Sequence, residues 1–150
     1  MNRWKNILSF LAIFGIIIVW TYVFRLALLA PPFAVSAYLI SVEHRGRFSK
    51  PDSLIVSYVA VILSTTLLHI LLGTGVIQLY LNVVIISILI TFTRFKHPPA
   101  IALAVFSYIE HNDVKFVESS IIILIVLWLA DLIHHHYVFL ADESEDKEGK

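Results

Sequence analysis

The chain contains no cysteine, and this absence excludes disulfides, thiol catalysis and every metal or iron–sulfur site with cysteine ligands. Charges are also few, since 15% of the 150 residues are charged, against about 25% in an ordinary soluble domain. The formal net charge is zero, which argues against nucleic acid as a partner. A phosphate-binding glycine-rich loop, an HExxH motif, paired carboxylates and a nucleophile elbow are all missing. We therefore expect neither an enzyme nor a protein with a bound cofactor.

Apolar residues, in contrast, make up 59% of the chain, and its mean hydropathy is +0.86. A single soluble core cannot enclose that much apolar surface, so lipid must cover the remainder. Crossing a hydrocarbon core of about 30 Å takes roughly 20 helical residues, and four segments are predicted to do so: 7–24, 53–73, 76–93 and 118–140. The first is too long for the apolar region of a signal peptide, so we interpret it as an uncleaved span.

Two proline pairs, Pro31-Pro32 and Pro98-Pro99, account for four of the five prolines. Each pair lies in a shorter apolar stretch, residues 26–42 and 98–109. The pairs are 67 residues apart (positions 31 and 98), and the same shift roughly superposes the first span on the third and the second on the fourth. This order of elements predicts an internal repeat, with halves at about 7–73 and 76–140.

Basic residues mark three sites that the positive-inside rule assigns to the cytoplasm: the N-terminus, the loop 44–50 and the junction 94–97. Six crossings, with both proline stretches crossing and both termini inside, place all three there. The alternative keeps four full spans and lets both proline stretches dip in and return, which leaves five basic residues outside. The two halves are inverted with respect to each other only in the six-crossing arrangement.

The predicted fold class is accordingly all-α, a polytopic membrane helical bundle of two inverted repeats. Each repeat consists of a span, a proline-initiated half-helix and a span. Residues 1–141 form a single transmembrane domain, and we expect the acidic segment 142–150 to be a disordered cytoplasmic tail. The expected location is a prokaryotic cell membrane.

The proline pairs are the first candidates for function. Proline suits the first position of a helix, because its missing N–H lacks a partner there anyway. A helix that begins at membrane depth turns backbone N–H groups and its positive dipole end toward the protein interior, and such ends attract anions. Inverted repeats with discontinuous helices are a known transporter plan. The alternative is that the pairs are kinks that only let helices pack.

Two basic or titratable residues flank these helices. Arg25 is the one charge well inside the first apolar stretch, and it either snorkels to the interface or attracts anions to the mouth of a path. His97 directly precedes the second pair and is a candidate to cap the helix, to contact an anion as imidazolium or to titrate near neutral pH. His69 is interpreted as a packed or interfacial histidine.

Other polar residues have simpler interpretations. Hydrogen bonds between helices are the expected role of Ser36, Ser57, Ser64, Thr65 and Thr66. Asp131, His134 and His135 share one helical face and have the chemistry of a divalent metal site. The alternative for these three is a polar cytoplasmic end of the last helix.

The run His97 to Ala100 (HPPA) resembles the signature of the HPP family of integral membrane proteins, which is named for its His-Pro-Pro tripeptide. The segment Pro32 to Ala37 is similar to the family's Pro-Phe-Gly-Ala-Ser-Ala stretch, with Ala34 in place of glycine, and Lys50-Pro51 resembles the link to the next span. The chain departs from the family pattern at residues 101–103, where it has Ile-Ala-Leu. Members are described as having four transmembrane helices, and some photosynthetic members are implicated in nitrite transport. The resemblance thus implies a pathway for a small anion, with nitrite as the named candidate.

Together these patterns predict a small-anion transporter or channel. A metal-binding membrane protein and a structural subunit without a pathway are the alternatives. The lipid bilayer and a small inorganic anion are the expected partners, and a homo-oligomer is compatible with a chain this small. The candidate substrate-binding residues are Arg25, Pro31, Pro32, Phe33, Ser36, His97, Pro98, Pro99 and Ala100.

Overall fold

A computed structural model describes residues 3–25, 30–43, 46, 48–110 and 113–148. Within these residues six helices and no strand are present, which confirms the predicted all-α class. The helices are α1 (Arg3–Val23), α2 (Ala30–Ser41), α3 (Pro51–Leu72), α4 (Val76–Phe92), α5 (Pro99–Glu110) and α6 (Asp113–Glu148).

Three helices have the length and apolar composition of a membrane span: α1, α3 and residues 114–133 of α6. The predicted span 76–93 is shorter, because α4 has 17 residues and therefore measures about 25 Å at 1.5 Å per residue. The described helices therefore include three full spans rather than the four that were predicted. α6 also continues through residues 142–148 of the predicted tail.

The two proline stretches form short helices, as predicted. α2 and α5 each have 12 residues, about 18 Å of helix. Prolines stand at positions two and three of α2 and at position one of α5, where a missing N–H costs nothing. Proline also begins α3 at Pro51, after Lys50 in extended geometry (φ −67°, ψ 130°).

The outer surface of the bundle is apolar. Tyr22, Val76 and Phe92 have more than four-fifths of their side-chain surface exposed (81%, 83% and 82%), which water would not tolerate for so many large side chains. Serine, threonine, asparagine and histidine side chains lie inside instead. This distribution is that of an integral membrane protein.

The two short helices lie at the centre of the bundle. α2 and α5 contact each other, and each also contacts α6. α1 is peripheral, with 22% of its apolar segment buried, against 39% for α3 and for the α6 segment. The functional residues predicted on α2 and α5 are therefore inside the protein rather than on the lipid-facing surface.

The buried faces of α2 and α5 follow one pattern. Each helix buries three pairs of neighbouring residues at four-residue spacing: 32, 33, 36, 37, 40 and 41 in α2, and 99, 100, 103, 104, 107 and 108 in α5. Every member of the second set is its counterpart plus 67, the separation of the two proline pairs. The residues that face the core therefore repeat with the same period as the prolines.

Side-chain contacts fix the directions of three helices. Ser57, near the start of α3, lies 3.3 Å from the carbonyl oxygen of Phe95 just past α4, and Ser64 lies 2.8 Å from Asn82 in the middle of α4. α3 and α4 are therefore antiparallel. Two ring pairs join α3 to the α5 region. Tyr58 meets His97 just before α5 begins, and His69 meets Tyr108 near the end of α5. α5 therefore runs in the same direction as α3 and returns the chain to the side where α3 ends.

Candidate functional site

His97 lies in the connection between α4 and α5, two residues before α5 begins, and none of its surface is exposed. Both ring nitrogens have partners. Nδ1 is 2.9 Å from the carbonyl oxygen of Phe48, and Nε2 is 2.8 Å from the Ser36 hydroxyl. The ring thereby joins the α2–α3 loop, the middle of α2 and the start of α5.

The carbonyl partner determines where the protons are. A carbonyl oxygen can only accept, so Nδ1 of His97 carries a hydrogen and donates to Phe48. In the neutral ring Nε2 is then the acceptor, and the Ser36 hydroxyl donates to it. The second-half histidine is in this way held in one tautomer by two groups of the first half.

Tyr58 of α3 completes the arrangement. Its hydroxyl is 2.6 Å from the Ser36 hydroxyl and donates to the carbonyl oxygen of Pro32 at 3.1 Å. Its ring packs against Phe33, with centroids 5.1 Å apart, and meets the His97 ring at 5.3 Å. We call Ser36, Tyr58 and His97, all fully buried, the Ser36–Tyr58–His97 cluster.

The first proline pair supports this cluster with one of its members. Pro32 is buried, and its carbonyl oxygen lies 3.1 Å from the hydroxyl oxygens of both Ser36 and Tyr58. Phe33 is buried beside it, whereas Pro31 is exposed. The predicted first-half residues Pro32, Phe33 and Ser36 are therefore brought together around one hydroxyl.

The second proline pair has the same division, with Pro98 exposed and Pro99 buried. Ala100, also buried, donates its backbone N–H to the carbonyl oxygen of His97 at 3.1 Å, and Ile101 donates to Pro98 at 3.0 Å. Two of the backbone N–H groups predicted to face a ligand are thus engaged within their own turn. Side chains, more than the helix start, supply the polar groups of this site.

Arg25 is not brought to the cluster. It follows α1, is exposed, and has the left-handed φ of 56° that ends many helices. Phe10 of α1 contacts Tyr38 of α2 at 5.6 Å between ring centroids, which sets the level of α2 along α1. Arg25 lies 15 positions beyond Phe10, about 20 Å farther along the helix axis, because α1 is unbroken through Val23.

A second polar group, centred on Asn82 of α4, was not recognised in the sequence. Its side-chain oxygen accepts from Ser64 at 2.8 Å, and its nitrogen donates to Thr65 at 2.7 Å. Ser57 bonds to the backbone of Phe95, as noted above. The predicted helix-to-helix hydrogen bonds are confirmed for Ser36, Ser64 and Thr65. Ser57 bonds instead to the α4–α5 connection, and the buried hydroxyl of Thr66 has no partner among the described residues, so the prediction is wrong for these two. An amide alone in an apolar helix was the available signal for Asn82.

His69 packs as predicted. It is buried, with 6% of its surface exposed, and its ring meets Tyr108 of α5 edge-on at 4.3 Å. Tyr108 in turn donates its hydroxyl to the carbonyl oxygen of Gln78 at 3.1 Å. These contacts tie the end of α5 to α3 and α4.

Asp131 is buried in α6. The side chains of His134 and His135, its partners in the predicted metal site, lie outside the described residues, so that site stays a prediction. Among the side chains that are described, no three histidine or acidic groups are close enough to hold a metal ion.

Comparison with known proteins gives one finding. A family model described as "HPP, transmembrane region" matches residues 2–140. No curated protein and no solved structure matches the chain.

Proposed function

The chain belongs to the HPP family of integral membrane proteins, and we propose that it transports a small inorganic anion, nitrite-like in size, past the Ser36–Tyr58–His97 cluster. One observation carries the proposal. Three hydrogen-bonding side chains from α2, α3 and the start of α5 meet, fully buried, where the two short helices contact each other. Polar groups buried inside a membrane protein are costly and mark substrate paths in many of them.

The chemistry of the cluster favours an anion over a cation. Its two hydroxyls offer hydrogens to an acceptor, and no carboxylate is among the partners described for the cluster. The positive end of the α5 dipole adjoins His97. A small anion that accepts hydrogen bonds from the two hydroxyls would replace the bonds that these side chains make to one another.

Burial of the cluster implies a conformational step. An ion cannot touch Ser36 or His97 while both are fully enclosed and bonded at 2.8 Å. This bond joins α2, from the first half, to the connection before α5, from the second. We propose that it opens when the halves move relative to each other, which would expose the site to one side of the membrane at a time.

The inverted repeat that such a motion requires is part of the proposal, and the helix contacts support it. In such a repeat α1 corresponds to α4, α2 to α5 and α3 to α6. Each helix contact should then have a counterpart: α1–α2 with α4–α5, α3–α4 with α1–α6, and α3–α5 with α2–α6. All six of these contacts are present. The 67-residue period of the buried faces in α2 and α5 agrees with this correspondence.

Six crossings with both termini in the cytoplasm complete the proposed topology. α5 runs parallel to α3, which supports a second proline segment that crosses rather than returns. The antiparallel α3 and α4 bring Lys50, at the start of α3, to the same end as Arg94 and Lys96. The positive-inside rule assigns this end to the cytoplasm, and we propose a prokaryotic cell membrane as its location.

Proteoliposomes with purified protein test the function directly. Nitrite, nitrate, chloride and formate would be supplied in turn, and uptake measured by anion-dependent swelling. We expect nitrite-dependent swelling that His97→Ala and Ser36→Ala abolish. Ser64→Ala is the matched control, because it removes a partly buried, hydrogen-bonded hydroxyl from α3 outside the cluster and should keep the flux.

The outcome separates the proposal from its rivals. Swelling with no anion in the panel would favour the structural-subunit alternative. If flux persists in both His97→Ala and Ser36→Ala, the pathway does not pass between α2 and α5. Loss of flux in Ser64→Ala as well would mean that the substitutions act through folding.

A further inference from the structure

A groove of about 410 Å³ lies between α1 and α6. It exists because α1 packs mainly on α2 and touches α6 only sparsely. Its lining is apolar apart from the hydroxyl of Ser9 and includes Ala12, Ile16, Ala130 and Ile133.

The shape of the groove suits a thin ligand. It follows α1 from Ser9 to Ile16, seven residues or about 10 Å of helix. Ala12 and Ala130 make it deep, whereas Ile16 and Ile133 form bulky walls. A thin, flexible acyl chain can follow a narrow apolar groove of this kind.

One end of the groove carries a positive charge. Lys5 is exposed and precedes Ser9 by four residues, so it lies on the same face of α1, one turn nearer the N-terminus. A lysine at the end of a span extends its ammonium group to the bilayer surface. Basic side chains there attract anionic headgroups. Beyond Lys5 along this face, α1 has no acidic residue.

We infer that this groove is a binding site for an anionic phospholipid, with an acyl chain between α1 and α6 and the phosphate at Lys5. The lipid would take the place of the missing α1–α6 packing. It would therefore hold α1 against the bundle. The inference concerns the surface of the protein and is independent of what, if anything, passes the Ser36–Tyr58–His97 cluster.

Native mass spectrometry of the detergent-solubilised protein tests this site. Phosphatidylglycerol and phosphatidylcholine with identical acyl chains would be added in equal amounts, and the lipid retained by the protein counted. We expect about a fivefold preference for phosphatidylglycerol, the effect of one basic residue near the membrane surface. Lys5→Gln should reduce this preference to about one, with retention of phosphatidylcholine unchanged.

A second variant tests the acyl-chain part of the site. Ala130→Phe fills the groove and should lower the retention of both lipids. The matched controls keep the wild-type pattern: Ile18→Phe adds a ring on the opposite face of α1, and Lys50→Gln removes an exposed charge outside the groove.

Two results would overturn the inference. One is retention of phosphatidylglycerol that neither Lys5→Gln nor Ala130→Phe alters. The other is a dimer that Ala130→Phe converts to a monomer while lipid retention stays the same, since the occupant would then be a second copy of this chain. Either result leaves the flux experiments unaffected, and an absence of flux would leave this inference standing.

Discussion

The starts of the two short helices are equivalent in position and opposite in chemistry. Around the start of α5, His97 bonds Ser36 of α2, which contacts Tyr58 of α3. The 67-residue shift aligns His97 with Ala30 and Ser36 with Leu103. A shift of 66 residues aligns most of the buried positions of α3 with those of α6, and it aligns Tyr58 with Leu124. The polar cluster of one place thus corresponds to alanine and two leucines in the other.

This difference distinguishes the packing role of the proposed repeat from the role of the proposed site. Both places have proline-started helices and buried faces of the same period, so packing two short helices at the centre does not require polar groups. Leu103 is fully buried and Leu124 nearly so, which shows that an apolar core suits the second place. This contrast supports our proposal that the hydroxyls and imidazole of the first place bind a ligand rather than only support the fold.

The largest effect on transport is expected from His97→Ala. The change removes a buried ring and leaves the Phe48 carbonyl and the Ser36 hydroxyl without their partner, which should cost roughly 2–4 kcal/mol of unfolding free energy. Flux should be abolished. Denaturant unfolding in detergent measures the first quantity and proteoliposome swelling the second. Full flux in His97→Ala would place the pathway elsewhere.

Leu103→Ala and Ser36→Ala compare equivalent positions directly. Leu103→Ala opens a cavity in the core and should cost about 2–5 kcal/mol, with flux per folded molecule retained. Ser36→Ala leaves Nε2 of His97 unsatisfied and should cost only about 1–3 kcal/mol, with flux lost. Stability and transport would then change in opposite order at the two sites. The contrast disappears if flux simply follows stability in both variants.

Tyr58→Phe removes one hydroxyl and keeps the ring against Phe33 and His97. Because Ser36 and Pro32 lose a partner, we expect a cost of about 1 kcal/mol and a partial loss of flux. Leu124→Met, at the equivalent apolar position, conserves volume and should cost less than about 1.5 kcal/mol with flux unchanged. Thermal unfolding and swelling rates measured side by side decide this pair. Equal flux in the two variants would remove Tyr58 from the site.

The smallest effect is expected at the exposed prolines. Pro31→Ala and Pro98→Ala should each lower the free energy of unfolding by less than about 1 kcal/mol, mainly because the unfolded chain gains freedom. The two values should agree, since both side chains are exposed at equivalent positions. Unfolding curves for the two variants check this. A much larger cost at Pro98 alone would mean that the second pair has a role that the first lacks.

The sequence contained most of the fold, because the period of apolar residues and the positions of proline determine where membrane helices begin and end. The predicted span 53–73 and the helix Pro51–Leu72 differ by two residues at most. α4 ends at Phe92, one residue before the end of the predicted span 76–93, and its 17 residues are too few for a full span.

The site was predictable only in part. His97 and Ser36 were found through the proline pairs, but their bond joins residues 61 positions apart, and no local pattern encodes such a partner. Tyr58 was missed for the same reason, although a tyrosine within a span, away from the membrane surface, was a signal. Arg25 was grouped with His97 because both are basic, whereas the unbroken α1 carries it to the far end of that helix.

The most direct test uses the absence of cysteine. Ser36→Cys would give the protein a single thiol at the proposed pathway, and Leu103→Cys a single thiol at the equivalent apolar position. A small water-soluble thiol reagent, applied to proteoliposomes with and without nitrite, reports access to each. The account predicts that Cys at position 36 is modified, that nitrite slows the modification, and that Cys at position 103 does not react. Equal lack of reaction at both positions would contradict it.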